Sequence, residues 1–310
     1  MKHYPTIGAF IQCFKQPVST IETIRTFRSV YPDASLFVVS DGGYHYDGLA
    51  KRFGAQYKHL DRIGKDIGIV SSNRDVMVSW LTRLIDAARQ MTEDYVIILE
   101  DDVRIIKPVS RLGFDLNGIN PELGIGKKMT SELKRRGAQI AKGCEDFYYG
   151  GCGGSVISRE FLVGRIGSLD LHQAVRDLEP FLDDHLKNHY VSDYWLSVLT
   201  LLQGGTMGDY EGFAETWHIG YIIRKQVTHT IETLHFDKSL HNTPLSLEDV
   251  EILGGSFTTG ELTDYQLRSN TQSTPKSIPK KILEVFLSPK KWVMWSKRKY
   301  VAYKRLQSCK

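Results

Sequence analysis

Residues 94–107 read DYVIILEDDVRIIK, and the order of these side chains decides how the rest of the chain is read. Tyr95–Leu99 is an unbroken apolar run. Glu100, Asp101 and Asp102 follow without a spacer, and apolar character resumes at Val103, Ile105 and Ile106. A short apolar run closed by polar turn residues predicts a buried strand. Three adjacent carboxylates repel one another, and burying one without a partner is costly. A divalent cation reverses that sign, because Mg²⁺ and Mn²⁺ take oxygen ligands from one or two carboxylates together with phosphate oxygens. A solvated acidic turn that merely closes the strand is the competing reading. If the strand conformation persists, Glu100 and Asp102 point to one side and Asp101 to the other. Asp102 is then the first candidate for a cation ligand, with Glu100 assisting through water.

Upstream, Thr6–Phe14 predicts a buried strand, and Pro17 and Ser19 precede a helical pattern of Ile21, Ile24, Phe27 and Val30. Ser35–Ser40 predicts a second strand, ended by Asp41, Gly42 and Gly43. A short helix near Gly48–Phe53, a strand over Tyr57–Leu60 and a long helix from about Ser72 follow. The long helix repeats Val76, Trp80, Leu84 and Ala87/Ala88 at three- to four-residue spacing. Strands alternating with helices predict a parallel α/β sheet covered on both faces. Ligands in such sheets bind beyond the carboxyl ends of the strands, where Ser40–Gly43 and Glu100–Asp102 both fall. Downstream, Gly118–Gly143 predicts loops around a short helix, and Phe181–Gln203 contains a helix carrying Trp195, Leu196, Val198, Leu199 and Leu202. Tyr148–Ile157 reads YYGGCGGSVI, whose glycines suit close approach of backbone to a ligand or to another segment. Neither GxxxxGK[ST] nor GxGxxG occurs, which argues against a P-loop or a dinucleotide site.

In this context LEDDV resembles the DxD motif of GT-A-fold glycosyltransferases, in its EDD variant. Ser40-Asp41-Gly42-Gly43 resembles the nucleotide-binding start of that fold. Ser72-Asn73-Arg74 resembles the basic entry to the helix before the DxD strand, and Val191–Leu196 (VSDYWL) resembles the segment that supplies the base in inverting members. The resemblance spans roughly residues 5–235. It implies a GT-A-like mixed, mostly parallel sheet flanked by helices, over a domain of residues 1–272. It also implies metal-dependent transfer of a sugar from a nucleotide sugar, a UDP-sugar foremost, to a glycan or glycolipid acceptor with inversion. Asp41 would then meet the base, Arg74 the diphosphate, and Glu100 and Asp101 the ribose or the shell around the cation. Asp102 and His218 would hold Mn²⁺ or Mg²⁺, with His229 and His235 as alternatives to His218. Asp193 would be the general base, with Asp183, Asp184 and Asp209 as alternatives; a first-turn acid stabilising its own helix is the plainer role for Asp193. Gly150–Gly154 would lie on the acceptor side.

Composition sets the remaining expectations. The chain has 310 residues, of which 41% are hydrophobic and 25% charged, an ordinary globular balance. Four cysteines without CxxC spacing predict reduced thiols. No secretory signal or bilayer-length apolar run is read, which predicts a cytoplasmic protein. The net charge of +4 is uneven: Thr274–Lys310 holds eleven lysines and arginines against Glu284 alone, so the body is acidic. In this tail, residues 273–310 by our boundary, the cations alternate with Phe286, Trp292, Trp295, Tyr300 and Tyr303. That pattern suits an anionic membrane surface at the inner face and a lipid-linked acceptor. A terminal helix docked through its tryptophans is the alternative. Nucleic acid is not an expected partner of an acidic body without a recognition motif. Two other classes remain open: a nucleotidyltransferase, which would carry a Gly-rich basic loop where Cys13–Pro17 stands, and a non-catalytic membrane-surface protein on a degenerate transferase fold.

Overall fold

Strand β1 (Ile7–Cys13) is paired on both sides by parallel neighbours, β2 (Leu36–Asp41) and β4 (Tyr95–Leu99). β3 (Gln56–Leu60) extends the parallel set beyond β2. The computed structural model describes residues 4–62, 74–118, 126–135, 153–178, 192–208, 210–215, 231–235, 237–255 and 257–272, with backbone alone for 126–130, 192–194, 215 and 270–272. Beyond β4 the seven-stranded sheet is completed by β7 (Val156–Ser158), β6 (Leu116–Asn117) and β8 (Met207–Gly208), in the order β3-β2-β1-β4-β7-β6-β8. β7 runs antiparallel to both β4 and β6, and β8 runs parallel to β6. The sheet is therefore mixed and mostly parallel, as the alternation of apolar runs and helical patterns predicts.

Period-two alternation sends side chains of each central strand into two separate cores. Ile7, Ala9, Ile11, Val38, Ile97 and Leu99 pack on the face of α1 (Pro17–Val30) and α2 (Asp47–Arg52). Phe10, Phe37, Val39, Val96 and Ile98 pack on the opposite face, against α3 (Arg74–Arg89). Because both faces are buried, the strands read as continuous apolar runs rather than alternating ones. Pro17 suits the first turn of α1, where its missing N–H has no helical partner to lose. α4 (Gly126–Arg135) is the short helix expected within Gly118–Gly143. α5 (Arg159–Gly164), α6 (Leu171–Leu178) and α7 (Ser192–Leu202) join the α3 side, while α8 (Leu247–Leu253) joins the α1 side. Ser246 and Asp249 start α8 with a reciprocal capping box, and Gly254 ends it in the left-handed conformation.

A second, three-stranded sheet places the acidic turn. β5 (Arg104–Ile105) pairs antiparallel with β10 (Thr233–His235), which pairs parallel with β9 (Phe213–Glu215). Thr233 lies opposite Ile105 and Leu234 opposite Arg104. Antiparallel pairing therefore carries the chain after Leu234 back along Val103 and Asp102, and the Asp237 amide donates to the Asp102 carbonyl at 2.9 Å. α9 (Thr259–Gln272) follows α8. The chain divides into two units, Met1–Gln266 and Leu267–Lys310, and of the second only the end of α9 is described. The basic tail lies outside the described residues.

Candidate functional site

The site begins where β4 ends. Glu100, Asp101 and Asp102 form a tight turn, closed by the Val103 amide donating to the Glu100 carbonyl at 3.2 Å. The expected strand alternation stops here, so Asp102 is not confined to one side. It belongs to two clusters of ligand-type atoms, one with Glu100 and His235, the other with Asp101 and His241. Within each, one atom per residue lies within 4.8 Å of the others.

The first cluster is the more deeply buried. His235 Nε2 lies 3.7 Å from Asp102 Oδ1 and 3.8 Å from Glu100 Oε2, and the side chains of His235 and Asp102 are 1% and 4% exposed. The Glu100 side chain is 48% exposed, but its Oε1 accepts the Gly153 amide at 3.0 Å, which aims the carboxylate inward. Gly153 is required there by space. A Cβ on it would stand 2.9 Å from both His235 Nε2 and Val103 Cγ2, and 3.0 Å from Glu100 Cδ. One member of the expected glycine-rich segment thus backs the acidic cluster; Gly150, Gly151 and Cys152 lie outside the described residues. In the second cluster His241 Nε2 approaches Asp101 Oδ1 at 3.5 Å.

Electrostatics make this site unfavourable on its own. Burial, and next the charge of Glu100, push the Asp102 carboxyl up to about 6, against the opposing pull of His235 and Lys238. Burial acts on Glu100 in the same direction, yet His235, the Gly153 amide and Lys238 outweigh it and hold that carboxyl below its ordinary value. Asp102 Oδ1 is buried and accepts no hydrogen bond among the described residues, and His241 Nε2 is likewise buried without one. A buried carboxylate oxygen left without a donor is an expensive arrangement that a cation would relieve. Two carboxylates and an imidazole suit Mn²⁺, and the carboxylates alone suit Mg²⁺. Lys238 Nζ, on an exposed side chain, lies 3.9 Å from Asp102 Oδ2 and brings a positive charge to the rim.

Asp41, at the carboxyl end of β2, is buried and accepts Arg83 Nη1 at 2.8 Å. Arg83 also donates to Gln12 Oε1 and to the Asp61 carbonyl. Arg74 starts α3 on an exposed position, and it is Arg83, about two and a half turns further along, that meets Asp41. The Arg62 guanidinium covers the Phe14 ring at 4.1 Å, and Gly43 passes so close to the Phe14 carbonyl that a Cβ would lie 1.9 Å from its oxygen. A groove of about 470 Å³ runs between β2, β3 and α3, lined by Val39, Lys58, Val78, Thr82 and Arg83 among others; Glu100, Asp102 and His235 are not in its lining.

Asp193 is the second residue of α7, described in backbone only. Asp183, Asp184, Asp209, His218 and His229 lie outside the described residues. Among the histidines named from sequence, His235 is the one found beside Glu100 and Asp102. His241, Lys238, Asp237 and Arg104 were not among the expected site residues. The signal was present in HFDKSLH, which packs two histidines, an aspartate and a lysine into residues 235–241.

No protein-family model matches this chain, and no curated protein matches its sequence. Solved structures that are similar include the galactosyltransferase LgtC in complex with donor and acceptor sugar analogs, at 13% identity and a TM-score of 0.48 over 86% of this chain and 96% of that one. The bifunctional glycosyltransferase WbbM is similar at 8% identity and a TM-score of 0.45, over 85% of this chain and 52% of its own. The glycosyltransferase GlyE of Streptococcus pneumoniae is similar at 10% identity and 0.40, over 86% and 62%. At these scores the likenesses carry no argument about this chain's activity.

Proposed function

We propose that the chain is a cation-dependent glycosyltransferase. It moves a sugar from a nucleotide sugar, a UDP-sugar foremost, to a glycan or lipid-linked acceptor, with inversion. The observation that supports this most is the buried Asp102 oxygen, which has no donor among the described residues and faces His235 and Glu100 beyond the end of a parallel strand. Glu100, Asp102 and His235 would hold Mn²⁺ or Mg²⁺, with the Gly153 amide fixing the orientation of Glu100. A divalent cation there supplies Lewis-acid stabilisation of a diphosphate leaving group, worth several kcal/mol. Lys238 adds a second positive charge on the same side. Asp193, in the first turn of α7, would take the proton from the acceptor hydroxyl, a role that contributes about 10²–10⁴-fold. Asp41 and its partner Arg83 would border the nucleoside.

A panel of nucleotide sugars, assayed for transfer or hydrolysis with Mn²⁺, Mg²⁺ and EDTA, tests the proposal. One donor should be turned over only with a cation, and Asp102→Asn should abolish that turnover. Absence of cation-dependent turnover across the panel rejects it. Unchanged turnover in Asp193→Ala removes both the base assignment and inversion. The tail is proposed to bind anionic membranes; flotation with phosphatidylserine liposomes that is unchanged after deletion of residues 274–310 rejects that part.

A further inference from the structure

Arg104 is an arginine that the sequence places just after the acidic run, and the fold buries it beneath the turn, at 6% exposure. Its Nη1 donates toward the Thr23 hydroxyl (2.7 Å), the Val103 carbonyl (2.9 Å) and the Asp101 carbonyl (3.0 Å). Its Nη2 donates to the Ser19 hydroxyl (3.0 Å) and the Asp237 carbonyl (3.3 Å). Its Nε stands 3.3 Å from Asp237 Oδ2, an ion pair whose direction does not satisfy Nε as a hydrogen bond. Ser19 in turn donates to the Asp101 carbonyl, and the Thr23 hydroxyl lies within reach of the carbonyls of Val103 (2.9 Å), Asp101 (3.0 Å) and Glu100 (3.2 Å).

One guanidinium thus touches three segments distant in sequence: α1 through Ser19 and Thr23, the acidic turn through its carbonyls, and the strand-to-loop segment 235–241 through Asp237. The planar fork of arginine suits this, since its donors leave in fixed directions and its charge persists on burial. Burial lowers the Arg104 pKa, opposed first by Asp237. Burial would raise Asp237, but Ser239 and then Arg104 and His241 outweigh it and keep its carboxyl low. The Asp237 amide completes the tie by donating to the Asp102 carbonyl.

We propose that Arg104 is a positioning residue: through Thr23, the Asp101 carbonyl and Asp237, it sets the spacing between the Glu100/Asp102 carboxylates and His235. It touches neither a cation nor a substrate. The inference deepens the proposed function and rests on its cation site for the effect on affinity, though not for the bracket itself. Supporting contacts around a metal site typically govern affinity by about 10–100-fold.

The test uses the full chain. Amide exchange in residues 100–103 and 233–241, and Mn²⁺ affinity by calorimetry, are measured for wild type, Arg104→Gln, Arg104→Lys and Thr23→Val. Arg104→Gln should speed exchange of the Asp237 amide by about tenfold or more while the β1 and β2 amides stay protected. It should weaken Mn²⁺ by about tenfold, and Arg104→Lys should recover part of the loss. Thr23→Val, which keeps the side-chain volume, should give the same selective pattern at smaller size and decides the matter if Arg104→Gln does not fold. Unchanged exchange at Asp237 overturns the bracket. Faster exchange with an unchanged Mn²⁺ affinity overturns the positioning role. If wild type binds neither Mn²⁺ nor, in the same titration, Mg²⁺, the proposed cation site falls, and the exchange pattern alone decides whether Arg104 joins the segments.

Discussion

Nε2 of His235 lies 3.7 Å from Oδ1 of Asp102, and both side chains are buried. The antiparallel pairing of β5 with β10 creates this approach. In the proposed site, His235→Ala should therefore weaken Mn²⁺ by about tenfold or more. His241→Ala, in the more exposed cluster, should change it by less than about threefold. Calorimetric titration of the two variants compares the clusters directly. A larger loss in His241→Ala would move the cation to Asp101, Asp102 and His241.

Stability without a cation should depend on pH through Asp102. Its folded pKa of about 6 lies above the ordinary 3.8. Between these values the folded protein keeps a proton that the unfolded chain has lost. This group's contribution to stability therefore falls as pH rises through the window, and above about 6 the buried charge is a full penalty. In EDTA, Asp102→Asn should stabilise the protein at about pH 7.5 by at most ~3 kcal/mol. The gain should shrink toward pH 4.5, and Mn²⁺ should raise the melting temperature of wild type but not of the variant. A gain that is equal at both pH values would contradict the shift.

Gly153→Ala should be costly, because its Cβ would meet His235, Val103 and Glu100 within 3.0 Å. Overpacking of this kind costs about 1–3 kcal/mol, and here it also presses on the candidate ligands. Gly164 has open space around its Cβ position. Gly164→Ala should be neutral or slightly stabilising, by up to about 1 kcal/mol. Urea denaturation of the pair checks the contrast.

The Asp41–Arg83 pair is 4% and 10% exposed. Arg83→Leu leaves the carboxylate buried without its cation, at a cost of about 3–5 kcal/mol. Adding Asp41→Asn should return much of the loss, because the buried charge that Arg83 offsets disappears. A double-mutant cycle in urea measures this coupling, and strict additivity would argue against it.

The central strands were legible because their signals are local. Tyr95–Leu99 and Leu36–Asp41 are apolar runs closed by polar residues, and α1 and α3 show helical periodicity in their own sequence. The turn at Glu100–Asp102 was legible as a charge anomaly, since three carboxylates at the end of a buried strand need a reason. What could not be read was which histidine answers them. The resemblance put His218 first, which lies outside the described residues, and kept His235 as an alternative; strand register brings His235 alongside, and register is a property of pairing between distant segments.

The polar support of the turn was hidden for the same reason. In sequence Ser19 reads as a residue ahead of the helix and Thr23 as an ordinary helix residue, whereas α1 begins at Pro17 and sets the two one helical turn apart. They become functional candidates only when Arg104 is seen between them and Asp237. The sequence by itself determined the sheet's parallel core and the place where charge accumulates, because hydrophobic periodicity and like-charge repulsion act between near neighbours. Tertiary structure alone decided the partners of that charge. Hydrogen bonds and ion pairs act over a few ångströms, and only folding brings residues 19–23, 100–104 and 235–241 within that range.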